Sequence, residues 1–94
     1  MNRSASKMAK TKWAQGFSLV VSRKIRERRC EAGMSQRTLA GHVGVTPAAV
    51  CYYESASRTP SVDVLIAIAR ALDFSIRDCF EILEAAGVGQ QKER

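Results

Sequence analysis

Residues 46–54, TPAAVCYYE, gather on one short segment several groups suited to touching a ligand. Cys51 offers a thiol, and Tyr52 a hydroxyl that either donates or accepts a hydrogen bond. Ala48 and Ala49 offer small methyl surfaces and let a helix approach a neighbour closely. The segment holds no Arg, Lys, Asn or Gln. Its chemistry is therefore that of contact, by methyl packing and one phenol, rather than of catalysis.

Elsewhere the reactive side chains are scattered. His42 is the only histidine. It has no Ser or carboxylate partner at a recognisable spacing, so it reads as a polar residue on a helix and not as a catalyst or ligand. Cys30, Cys51 and Cys79 lie far apart, with no CxxC or Cys/His zinc spacing. Cys30 and Cys79 read as half-buried small apolar residues, and Cys51 as inert rather than as a redox switch. No carboxylate pair, Ser/His/Asp set or phosphate loop is present, so we expect no enzyme, no metal and no cofactor. The odd cysteine count, without a signal peptide, points to a reducing cytoplasmic setting. The longest apolar run, VLIAIA at 64–69, is far short of the roughly 20 residues of a membrane span.

Charge supplies the next clue. The 94 residues fit one domain, and 15 Lys plus Arg against 9 acids give a net charge of +6. That excess favours a polyanion, either nucleic acid or an anionic membrane surface. Residues 1–16 carry Arg3, Lys7, Lys10 and Lys12 and no acid. They read as a basic, flexible or partly ordered arm with Trp13 and Phe17 anchoring it to the domain. Residues 17–86 form the expected domain, and 87–94 a polar tail.

The patterning of 17–86 is helical throughout. Phe17, Val21 and Ile25 recur every four residues, with Arg23, Lys24, Arg26, Glu27 and Arg28 mostly on the other side. Gly33 ends this helix. Ser35 caps a second, Gln36–Val43, with Leu39, Ala40 and Val43 inward. Thr46 caps a third, with Pro47 at its first position and Val50 and Tyr53 inward. Ser61 caps a fourth that buries Val64, Leu65, Ile68, Ala69 and Leu72. Ser75 and Asp78 predict a capping box for a fifth, whose apolar positions are Ile76, Phe80 and Ile82 or Leu83. Phe80, Ile82 and Leu83 exceed what one face needs to bury. They predict an apolar patch shared with a second copy of the chain.

The informative unit is helix, short turn, helix, from Gln36 to Tyr53. Ala40 must be small where the third helix crosses, and Gly44 supplies a turn conformation that is easy only for glycine. Val45, Val50 and Tyr53 form an apolar wedge fixing the angle. Across residues 24–80, the ordered pieces GMSQRTLA, GV, YE, PSVDVLIAIARAL and DCF resemble the Cro/CI-type (XRE) helix-turn-helix regulators. The resemblance implies an all-α, compact five-helix, lambda-repressor-like domain. It further implies binding of double-stranded operator DNA, usually as a homodimer, with the third helix in the major groove.

Site residues follow from the same resemblance. Pro47, Ala48, Cys51 and Tyr52 fall at base-contact positions. Ser35, Gln36 and Arg37, with Arg58 and Thr59 of the following loop, fall where phosphates are touched. Arg29 and Glu54 match a structural ion pair. The chain departs from the pattern at Ala56, where glycine is usual in a left-handed position and alanine costs on the order of 1 kcal/mol. It departs again at Arg28, where leucine is usual. With no amide or guanidinium on the third helix, specificity is expected from thymine-methyl packing and Tyr52, and affinity from phosphates and DNA shape. The expected function is a transcriptional repressor or autoregulator at a pseudo-palindromic operator. The alternatives on the same fold are an antitoxin binding a protein toxin and a restriction–modification controller. Contact with polymerase is compatible with the regulatory readings.

Overall fold

The computed structural model describes residues 12–89. Five helices follow one another: α1 Lys12–Glu31, α2 Gln36–Val43, α3 Pro47–Glu54, α4 Val62–Ala71 and α5 Ile76–Ala85. The starts of α2 to α5 are written in small polar side chains. The Ser35 hydroxyl accepts from the Thr38 amide at 3.0 Å, and Thr46 Oγ1 from the Ala49 amide at 3.1 Å. Both bonds occupy amides that a helix start would otherwise leave orphaned. Ser61 stands at the N-cap position of α4, but its hydroxyl turns aside to Asp63 Oδ1 at 2.8 Å. At α5 the expected capping box is complete, with Ser75 and Asp78 each bonding the other's amide.

α1 begins at Lys12, upstream of the expected start at Phe17. Trp13 and Phe17 meet edge to face, ring centroids 6.1 Å apart, and Phe17 packs on the core. That contact favours the extra turns. Of the basic arm, Arg3, Lys7 and Lys10 lie outside the described residues.

Val21 and Ile25 of α1, Leu39 and Ala40 of α2, Val50 of α3, Ile68 and Leu72 beside them and Ile82 of α5 form the buried core. α1 packs against α3 and α5, while α2 packs against α3 and α4. The apolar periodicity of the first four helices therefore located their inward faces correctly.

On α5 the expectation fails. Ile82 is buried, only 6% exposed, and so cannot belong to a surface patch. Ile76 and Phe80, expected among the apolar positions of the helix, are exposed. The inward face carries Asp78 instead, 2% exposed. A buried carboxylate is tolerated only when donors surround it, and here four do. Lys24 Nζ bonds Oδ1 at 2.8 Å, and the Ser75 amide bonds Oδ2 at 2.9 Å. Arg28 forks onto both oxygens, Nε to Oδ2 at 3.0 Å and Nη2 to Oδ1 at 2.8 Å. Lys24, expected on the polar side of α1, is itself buried and also pairs with Glu81.

These bonds move the acidities of the groups involved. The Arg28 fork, with Lys24 and the Ser75 amide, holds the Asp78 carboxyl far below the usual carboxylate range against the opposing effect of burial. For Lys24, burial is the largest single influence and disfavours the charge, yet the bonds to Asp78 and Glu81 together outweigh it and raise the ammonium. Arg28, at a position where the resemblance leads one to expect leucine, faces a buried acid. The α1–α5 seam is thus electrostatic at this point rather than apolar.

Candidate nucleic-acid interface

The α2–α3 turn is set by Gly44, which caps α2 in the left-handed conformation at φ 78°. Its amide and that of Val45 both reach the Ala40 carbonyl, at 2.9 and 3.1 Å. Val50 then plugs α3 into the core, completely buried. This orientation turns Ala48, Cys51 and Tyr52 to solvent, with Tyr52 at 42% exposure, while Pro47 is half-buried.

The far end of α3 is clamped. Glu54 is 5% exposed, and its carboxylate accepts from Arg29 Nε at 2.6 Å and Nη2 at 3.0 Å. Two-pronged pairing of this kind fixes orientation as well as charge. Gln36 Nε2 adds a third bond to Glu54 at 3.0 Å, and Arg29 Nη1 reaches the Met34 carbonyl at 2.8 Å. Arg26 Nη1 bonds the Glu54 carbonyl at 3.2 Å. One carboxylate therefore ties α1, α2 and α3 together. Its hydrogen bonds to Arg29, the largest influence on that guanidinium, raise its basicity.

Among the residues expected at phosphates, Ser35 is exposed but spends its hydroxyl on the Thr38 amide and hydroxyl. Gln36 is half-buried with its amide turned to Glu54, which leaves one N–H of that amide for another acceptor. Arg37 is exposed at the start of α2.

The loop after α3 holds the remaining pair. Ala56 adopts φ 65°, the left-handed position expected to be awkward for alanine. The turn it makes brings the Ser57 and Arg58 amides back to the Tyr52 carbonyl, at 3.0 and 3.3 Å, and the Ser55 hydroxyl joins them at 3.1 Å. The Arg58 guanidinium then lies over the Tyr52 ring, 4.7 Å from its centroid. Thr59 Oγ1 pairs with Ser18 Oγ of α1 at 2.8 Å. An open groove of about 740 Å³ runs between these loop residues and Gln15, Ser18 and Leu19 of α1.

Phe80 and Leu83 of α5 are 63% and 47% exposed. Val88, beyond the helix, lines one shallow groove with them, and Ile76, one turn before Phe80, is exposed as well. All three cysteines are free and exposed, including Cys30 and Cys79, for which half-burial was expected. Among the described residues no group of His, Cys, Asp and Glu could hold a metal ion. Nor is any of their helices long and apolar enough to cross a membrane.

Two features escaped the sequence reading. The Asp78 cluster was legible only in part, through the capping-box spacing and through Arg28 in a leucine position. The Arg58–Tyr52 stack had no local signal, since it depends on the left-handed turn at Ala56.

A helix-turn-helix family model matches residues 25–79, from the last turns of α1 to the first turn of α5, with the clamp and the loop of Arg58 inside it. No curated protein and no solved structure matches the chain. The match takes in more than half of the chain, which belongs to the Cro/CI-type helix-turn-helix family and carries its DNA-binding domain.

Proposed function

We propose that the protein is a transcriptional regulator that binds a pseudo-palindromic operator as a homodimer, with α3 in the major groove. The observation that carries this is the three-helix clamp on Glu54. It holds α3 rigidly while Ala48, Cys51 and Tyr52 stay free on its outer side. In this reading the methyl of Ala48 packs on thymine methyl groups and Tyr52 bonds a base edge. Ser35, Gln36, Arg37 and Thr59 flank the helix and touch phosphates, while Arg58 adds positive charge beside it.

In vitro selection from random duplexes, followed by binding measured over a salt series, tests the function. A recurrent two-fold motif is expected, together with a log–log salt slope of about −0.9 per phosphate neutralised. A flat salt response removes the DNA reading.

The second copy is assigned to the Ile76, Phe80, Leu83 surface. Two domains related by a two-fold axis would reach half-sites about 34 Å apart, one DNA turn. Glutamate at Phe80 or Leu83 is expected to convert dimer to monomer in sedimentation. Because both side chains are exposed in the single domain, each variant should keep its helical circular dichroism. A folded variant that stays dimeric rules this surface out as the interface.

A further inference from the structure

The outer face of α3 lacks the planar pair of donors that reads guanine, but the fold delivers one from outside the helix. Arg26, Arg28 and Arg29 spend their guanidinium groups on carboxylates and carbonyls within the domain. That of Arg58 makes no hydrogen bond or ion pair among the described residues, and it rests on the ring of Tyr52. The contact takes up no hydrogen-bond partner, so the N–H donors of the guanidinium remain available.

The placement is not a chance approach of two long side chains. The Tyr52 carbonyl accepts from the Arg58 amide, the Ser57 amide and the Ser55 hydroxyl. The backbone that carries the guanidinium is therefore bonded to the same residue that carries the ring. Ala56 keeps its left-handed conformation to make that return.

We propose that Tyr52 and Arg58 form one composite reader, in which the Arg58 guanidinium, lying on the Tyr52 ring, presents its N–H edge to O6 and N7 of a guanine in the major groove. The proposal rests on the operator reading above. It assigns Arg58 a specificity role where the family resemblance gives it only a phosphate. A phosphate contact needs charge, which a lysine supplies equally well. A guanine contact needs donors aimed at O6 and N7, and the guanidinium held over Tyr52 supplies two in a fixed fork where a lysine offers one mobile point charge.

The test uses the full chain and the duplex chosen by in vitro selection. The selected half-site is expected to contain a guanine whose change to adenine weakens wild-type binding about ten- to a hundredfold. Replacing it by 7-deazaguanine, which lacks the N7 acceptor, should weaken binding in the same sense. Arg58→Ala should lose this discrimination while leaving the salt slope unchanged. Tyr52→Leu should lose it as well, and Tyr52→Phe, which restores the ring, should regain it. Circular dichroism melts confirm that each variant is folded.

If Arg58→Ala weakens all duplexes equally and lowers the salt slope by about one, Arg58 is a phosphate contact and the proposal is overturned. A selected motif without guanine overturns it too, while leaving the operator reading intact. If wild-type protein selects no sequence at all, the operator reading fails and this one fails with it.

Discussion

Replacing Asp78 by alanine is expected to destabilise the domain by about 3–5 kcal/mol, the usual consequence of removing one partner from a buried ion pair. The loss has two sources. Lys24 and Arg28 would be left facing each other at the α1–α5 seam, with Lys24 almost fully buried and only Glu81 remaining as its acid. The N-terminus of α5 would also lose half of its capping box. A domain of this size typically has 5–15 kcal/mol in total, and each kcal/mol corresponds to about 4–8 °C in melting temperature. The alanine variant should therefore melt at least about 12 °C below the wild type.

Asp78→Asn separates charge from shape. The native carboxyl is held far below its usual acidity range, chiefly by Arg28. Its contribution is thus complete above the unfolded value of about 3.9 and is withdrawn as pH falls below it. Urea melts at pH 7, 4 and 2.5 should show wild type and Asp78→Asn converging as the solution becomes acid. A stability gap that stays constant across this range would mean that the carboxylate charge is not what stabilises the seam.

The second large effect is expected at Glu54. Alanine there removes the acceptor for three donors and leaves Arg29, whose side chain is 14% exposed, without its partner. A cost of about 3–5 kcal/mol follows from the same rule for buried pairs. Operator binding should fall with it, even where the variant is folded, because the end of α3 is no longer tied to α1 and α2. The double replacement Arg29→Met with Glu54→Leu is expected to recover much of the stability, since apolar groups of similar volume can replace a buried pair at little cost. Denaturant melts of the two single variants and the double variant form a cycle. If the double variant is as unstable as the sum of the singles, the pair is not acting as a unit.

The fold was legible because its signals are local. Ser35, Thr46 and Ser75 mark helix starts by the reach of one hydroxyl, and the spacing of Leu39, Ala40 and Val50 marks the faces that must meet. The Arg29–Glu54 pair was legible through resemblance, and the structure gives it its geometry. The α5 face was misread because periodicity counts apolar residues, and here the inward position is an aspartate made acceptable by donors 50 and 54 residues away in sequence. The outward turn of Ile76 and Phe80 follows from that exchange. The Tyr52–Arg58 contact was illegible for a related reason. It is created by a backbone conformation that alanine rarely adopts, so no propensity announces it.

That conformation has a consequence for how the protein can change over generations. Ala56 sits where glycine would be more comfortable, so selection for heat resistance alone would favour the exchange. The same exchange would keep the turn that returns Arg58 to Tyr52, because glycine adopts the left-handed conformation without alanine's strain. Heat resistance and the placement of Arg58 therefore pull on one codon in the same direction, and alanine there gives up thermal margin without making the turn firmer.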